Sequence, residues 1–406
     1  MPIRNGIDQL TTPAIAAKLK NKRLGVLCHA ASVDRNMQHV VSILANTGCQ
    51  IQRIFAPEHG LSGNEQAMDP VADRTQATLT DANRIVSLYG NNFNSLKPTP
   101  EHLQDIDLIV IDLQDIGARY YTYIWTAWLM IQAAAEAGCG VLLLDRLNPL
   151  GRQVEGPAIF DDYRSFVGLE SIPNRHGLSY GELLGWLIKT HQILIDWEVV
   201  TVKNGSAKHY FDEQHSAETH NAETHSIGSA QWVLPSPNMP TLDTAIVYPG
   251  MCLLEGTNIS EARGTTKPFE LLGAPWIDSE KLASQAGSQI EGAQLRATGF
   301  KPTFEKHAGT DCHGVQVHVV DRDQFRPLFT TVVLIQTIYE LWPKDFEWRT
   351  TEYEFVTKHP AIDLLAGGDW LRKGIESGLR ANALSEHWSA YEQQFKNETS
   401  AFHLYD

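Results

Sequence analysis

The chain has 406 residues, 43% of them hydrophobic and 20% charged, with a formal net charge of −15 at pH 7. That length exceeds a typical single core, so two domains are expected, and the composition is that of a soluble globular protein. The acidic balance argues against nucleic acid or an anionic membrane as the main partner, and no run approaches the roughly 18 unbroken apolar residues of a membrane span.

Residues 1–22 mix Arg, Asp, Gln and Lys with short apolar runs and lack the apolar centre of an export signal, so a cytoplasmic location is expected. Leu24 to Leu27 is then the first of five strand-like runs, and it leads into Cys28-His29. Val33 to Thr47 carries Val33, Met37, Val40, Val41 and Leu44 at helical spacing. Ile51 to Phe55 ends in Pro57-Glu58-His59-Gly60, and Ile85 to Leu88 ends in Tyr89-Gly90. Thr99 and Pro100 signal a short helix start. The Pro-Glu-His tripeptide recurs there at 100–102, so it gains meaning at Glu58 only from its place after a strand. Leu108 to Ile111 runs into Asp112-Leu113-Gln114-Asp115, Thr126 to Ala137 reads as a helix closed by Gly138, and Val141 to Leu144 runs into Asp145-Arg146.

Continuous apolar runs suit parallel strands covered on both faces. Their alternation with helices predicts an α/β fold with a Rossmann-like, doubly wound, mainly parallel sheet. No Gly-x-Gly-x-x-Gly follows the first strand and no phosphate loop occurs, so no nucleotide cofactor is expected. Open parallel sheets place their sites outside the carboxyl ends of the strands. The polar strand ends therefore predict one cleft, with Glu58 and His59 in it.

The polar segment Asp212 to Ser229 marks the boundary between an N-terminal domain at 1–212 and a smaller α+β domain at 230–406. His215, His220 and His225 recur every five residues there. That spacing fits neither one helix face nor one strand face, which favours a solvated linker over a metal site. The five cysteines, Cys28, Cys49, Cys139, Cys252 and Cys312, are scattered and without zinc spacing. They are expected to be reduced and mostly buried, and no metal is expected. Beyond the boundary, Val315, Val317 and Val319 alternate as in a half-buried strand, and helices are expected near 328–341, 370–377 and 384–395.

Glu58 beside an apolar wall is suited to keep a proton near neutral pH and act as a general acid, with His59 beside it; a structural turn is the plainer alternative. Gln114, Asp115, Arg119, Tyr120, Tyr121 and Tyr123 cluster after a central strand. Hydroxyls and aromatic faces suit a sugar or a ring, and an arginine suits a carboxylate or phosphate. Arg146, Asn148, Arg175 and His176 are further ligand candidates, whereas Asp145 and Glu155 fit a structural role equally well. Gly177-Leu178-Ser179-Tyr180-Gly181 matches a nucleophile elbow, but no buried strand precedes it, and Ser179 with Glu182 makes a capping box instead. The stretch 255–266 has almost no apolar content and reads as a site wall, with Glu255, Asn258, Glu261 and Arg263 as contacts.

Six ordered blocks, Phe55 to Gly60, Asp112 to Tyr123, Asp145 to Pro149, Arg175 to Gly177, Pro235 to Asn238 and Glu255 to Glu270, make the sequence resemble the NamZ-type exo-β-N-acetylmuramidases. The resemblance spans nearly the whole chain. It implies release of N-acetylmuramic acid from the non-reducing ends of peptidoglycan fragments, a role in cell-wall recycling, and a cleft between a Rossmann-like domain and a smaller C-terminal one. It makes Glu58 a candidate catalytic residue and places Asn238 among the substrate contacts. The expected mechanism is glycoside hydrolysis of a small carbohydrate or muropeptide without metal or nucleotide. Glu58 is the expected acid, with Asp115, Glu255 or Glu261 as a second carboxyl. The substrate's own acetamido group is the alternative nucleophile. Arg119, Arg146, Arg175 and Arg263 compete for the lactyl carboxylate. Two rival functions stand beside this one: a serine amidase or esterase using Ser179, and a non-catalytic muropeptide-binding protein.

Overall fold

The computed structural model of the chain describes residues 2–63, 65–66, 85–216 and 231–406. His220, His225 and the side chain of His215 lie outside the described residues. The N-terminal half runs α1 (Pro13–Leu19), β1 (Arg23–Cys28), α2 (Val40–Asn46), β2 (Gln50–Ala56), β3 (Ile85–Ser87), α3 (Pro100–Leu103), β4 (Leu108–Asp112), α4 (Tyr123–Ala137), β5 (Gly140–Leu144), α5 (Tyr180–Thr190), β6 (Trp197–Val200) and α6 (Phe211–Ser216). All six strands are parallel and lie in the order β3-β2-β1-β4-β5-β6. The strand order reverses between β1 and β4, where an open α/β sheet forms its crevice.

The central strands β1, β4 and β5 are apolar along most of their length because both faces are covered. Leu27, Ile109, Ile111, Val141 and Leu143 face one core cluster. Their alternates Leu24, Val26, Val110, Leu142 and Leu144 face a second. Two differences from the sequence reading have local causes. The helix expected from Val33 begins only at Val40, because Val33 bridges His39 and the His39 ring caps the helix by accepting from the Val41 amide at 3.3 Å. The edge strand β6 escapes notice because Trp197-Glu198-Val199-Val200 is short and largely half-buried, with no continuous apolar run.

The C-terminal half continues with α7 (Leu242–Met251), β7 (Leu271–Ala274), α8 (Ser279–Gly287), β8 (Ala293–Phe300), β9 (Cys312–Val319), α9 (Pro327–Leu341), α10 (Ala361–Ala366), α11 (Trp370–Glu376) and α12 (Ala381–Thr399). Its strands form an antiparallel sheet in the order β7-β9-β8. Helices α7 and α9 pack so closely that a Cβ on Gly250 would lie 1.8 Å from the Pro327 carbonyl oxygen. One core cluster runs from Leu27 to Phe395 and so passes through both halves. Polar links reinforce it. The Glu155 carboxylate accepts from the Leu328 and Phe329 amides, at 3.0 Å each, and caps the N-terminus of α9. Among the described residues no helix is long and apolar enough to cross a membrane.

Candidate active site

At the carboxyl edge of the sheet β2 stops at Ala56, and the next residues turn sharply. His59 and Gly60 both have positive φ, 67° and 74°, and the Gly60 amide bonds the Pro57 carbonyl at 3.0 Å. This turn aims Glu58 and His59 into a cavity of about 40 Å³ that both halves line. Tyr120 to Tyr123, which follow β4, form one wall; Ser236 and Asn238 precede α7; Tyr248, Glu255, Arg263 and Phe269 come from α7 and the segment after it; Tyr353 and Glu354 close it.

Glu58 is 5% exposed, and its Oε2 accepts a hydrogen bond from Thr122 Oγ1 at 2.6 Å. Glu354, 6% exposed, accepts from the Tyr89 hydroxyl at 3.1 Å. Burial and then the neighbouring charge of Glu58 push the Glu354 carboxyl well above the usual carboxylate range. Glu255 is tied differently: Oε1 accepts from Arg263 at 2.6 Å and Oε2 from the Tyr353 hydroxyl at 2.8 Å. Glu261 lies behind this pair, with Lys306 Nζ at 2.8 Å and Arg263 Nε at 3.8 Å. Burial opposes its ionisation, yet Lys306 and Arg263 hold it below the usual range. Arg263 is in turn held charged against burial by Glu255 and Glu261. His59 Nδ1 lies 2.7 Å from the Glu65 carbonyl. The Tyr123 hydroxyl donates to the Pro235 carbonyl at 2.8 Å, and that of Tyr120 to the Pro249 carbonyl at 3.1 Å.

Other candidates from the sequence lie elsewhere. Asp115 does not line this cavity; its Oδ2 sits 3.2 Å from His176 Nε2 in a buried pair. Gln114 stays on the N-terminal side, with its side chain donating to the Asp115 carbonyl at 2.9 Å and its amide to His29 Nε2 at 3.0 Å. Three of the four arginines are committed to the fold. Arg119 is buried and donates to the carbonyls of Pro157, Ile172 and Leu365, each at 2.8 Å, and burial lowers its pKa to about 10. Arg146 grips Asp112 through two bonds of 2.7 and 3.0 Å. Arg175 donates to Gln153, the Leu150 carbonyl and the Tyr210 hydroxyl at 2.6 to 2.9 Å. Asn148 bonds the Leu178 carbonyl and the Leu150 amide, and Asn258 bonds backbone of Asp345 and Glu347. Of the four, Arg263 alone lines the cavity.

Ser179 caps α5 by accepting from the Glu182 amide and donates to Asp145 Oδ2 at 2.7 Å. Asp145 is buried and held by backbone, Ser179 and Tyr405. An aspartate accepting a hydrogen bond from the serine hydroxyl is a structural contact, since a nucleophile elbow pairs its serine with a histidine.

The sequence reading passed over Glu354, Tyr353, Tyr89, Thr122 and Tyr248. Tyr89 stands directly after a strand-like run and Thr122 among the singled-out tyrosines, so both carried a positional signal. Glu354 carried none beyond an acid between two aromatics.

Residues 24–243 match the family described as exo-beta-N-acetylmuramidase NamZ, N-terminal, and residues 246–405 match its C-terminal counterpart. The chain belongs to the NamZ exo-β-N-acetylmuramidase family. It is therefore a member of a glycosidase family. It is 40% identical to the peptidoglycan beta-N-acetylmuramidase NamZ of Bacillus subtilis, over 99% of this chain and 91% of that protein. Two crystal structures of DUF1343-family proteins from Bacteroides fragilis share the fold. One has a TM-score of 0.84 at 29% identity and the other 0.72 at 26%, and each match covers 100% of this chain and 99% of the other. The NamZ family's two parts correspond to the two halves that line the cavity.

Proposed function

We propose that this NamZ-family chain hydrolyses the β-glycosidic bond of N-acetylmuramic acid at non-reducing ends of peptidoglycan fragments, with Glu58 and Glu354 as its working carboxyls. The observation that carries the reading is their meeting in one buried cavity at the carboxyl edge of the sheet. Burial and the neighbouring charge of Glu58 favour the protonated form of Glu354, so that carboxyl keeps its proton to higher pH than an isolated glutamate does. Glu58 stands on the rigid end of β2 with its Oε2 oriented by Thr122, and in this reading it is the acid that protonates the leaving-group oxygen. His59 supports the turn that aims it. Attack on the sugar carbon comes either from water activated by the second carboxyl or from the substrate's acetamido group.

Arg263 binds the lactyl carboxylate in this reading, since it is the candidate arginine on the cavity wall and its planar fork matches a carboxylate. Tyr121 and Tyr248, with ring centroids 6.1 Å apart, supply an aromatic surface for the sugar. Asp115, Gln114, Arg119, Arg146, Asn148, Arg175, His176, Asn258 and Glu261 do not line the cavity and have no direct contact with substrate in this reading. A cytoplasmic location and a role in cell-wall recycling belong to the same proposal.

Incubation with a muramyl-glucosamine disaccharide, followed by mass spectrometry, tests the function. Release of free N-acetylmuramic acid supports it. An intact disaccharide would point to a binding protein, and loss of an acyl or amide group with the glycan intact would point to the amidase.

A further inference from the structure

A larger groove, of about 770 Å³, opens beside the catalytic cavity and shares Asn238 with it. Its floor is the outward face of the three-stranded sheet. Leu271, Gln316 and Arg296 stand in register across β7, β9 and β8, and all three line the groove. Thr298 and Phe300 continue that face of β8, because alternate strand residues share a face. The other face of β9 carries Val315 and Val317, both buried in the core. One wall begins at Gly264, next to Arg263 of the catalytic cavity. The Gly264 carbonyl accepts from the Thr303 amide at 3.0 Å and from the Thr303 hydroxyl at 2.9 Å, which fixes the facing wall. Cavity and groove are thus two sides of one loop.

The chemistry of the groove runs against that of the chain. The protein carries a formal charge of −15, yet Lys267, Arg296 and Lys301 line this groove and, among the described residues, no Asp or Glu does. Lys267 is partly neutralised by Glu270 at 2.8 Å and Lys301 by Asp311 at 3.0 Å. The bonds of Arg296 go to Gln316 Oε1 at 2.6 Å and His318 Nε2 at 3.4 Å, so its charge is held in place by groups other than carboxylates. Phe300 and Phe304 add half-buried rings, and Thr298 and Thr303 add hydroxyls. A cation, ring faces and hydroxyls together suit a carbohydrate that carries a carboxylate.

We propose that this groove is the aglycone subsite: it holds the glycan on the leaving-group side of the scissile bond, and Arg296 pairs with a carboxylate on that portion, as a following muramyl unit would present. The inference rests on the muramidase reading above and adds a determinant of chain length and charge to it.

The test compares wild type with Arg296→Gln on two substrates. One is an aryl muramide whose leaving group is uncharged; the other is a tetrasaccharide of alternating muramic acid and glucosamine. For the variant, KM on the tetrasaccharide should rise about fivefold, the scale of one exposed ion pair, with kcat unchanged. Added salt should narrow the gap. Kinetics on the aryl muramide should not change, which also shows that the variant is folded. Lys301→Gln, at an exposed position, should raise the same KM to a lesser degree. Equal effects on both substrates, or no effect of either variant on the tetrasaccharide, would overturn the proposal. If wild type cleaves neither substrate, the muramidase reading itself fails, a separate outcome.

Discussion

Glu354 sits in left-handed backbone, φ 47°, and is followed by Phe355 at 65°. Such a conformation in a residue with a Cβ costs about 1–3 kcal/mol and persists only where the surroundings impose it. Paired Tyr353 and Val356 backbone bonds close the turn, at 3.0 and 2.9 Å, and Tyr89 anchors the carboxyl. The turn therefore holds an acid in the cavity that Glu58 also lines. Glu354→Gln removes a carboxyl that burial and the neighbouring charge of Glu58 push well above the usual range. The alkaline limb of kcat/KM on a chromogenic muramide should accordingly move to lower pH; an equal loss at every pH with unmoved limbs would reduce Glu354 to a structural part. Ser179→Ala should keep full kcat, because its hydroxyl serves α5 and Asp145, while stability falls by about 2 kcal/mol through a lost cap and a lost bond to a buried carboxylate. A drop in kcat with unchanged stability would revive the serine mechanism. Glu58 was legible because a buried strand delivers it to a known edge. Glu354 was not, because no periodic element leads to it and only the closure of the C-terminal half sets its position. The four candidate arginines look alike in sequence, and tertiary placement alone separates Arg263 from Arg119, whose donors are spent on carbonyls distant in the chain.

At the scale of elements, runs such as Leu108 to Ile111 announced themselves because a strand covered on both faces needs no polar residue. Helix α4 and its left-handed Gly138 cap, φ 71°, were equally plain. Weak signals marked the failures: β6 at the sheet edge, and the start of α2, where His39 outcompetes the apolar spacing of Val33 and Met37. Contacts between helices are not written in periodicity at all. The α7–α9 crossing depends on Gly250, whose added Cβ would meet the Pro327 carbonyl at 1.8 Å. Gly250→Ala should therefore lower unfolding stability by about 3 kcal/mol through overpacking, read from denaturant midpoints at constant slope. A change under 0.5 kcal/mol would mean that the two helices separate freely.

For the whole molecule, the shared core and the reach of Arg119 and Glu155 across both halves make them one folding unit. Calorimetry should give a single transition that coincides with the loss of near-ultraviolet dichroism; two separated transitions would contradict a common core. The catalytic cavity is lined from both halves of the chain. Contacts that join the halves into one folding unit therefore also shape the cavity. The account as a whole turns on the carboxyl at the end of β2. Turnover of a chromogenic muramide by Glu58→Gln, beside wild type, measures this most directly. A fall in kcat of about a hundredfold or more, with the fold intact, is the predicted result; a variant that turns over at the wild-type rate would contradict it.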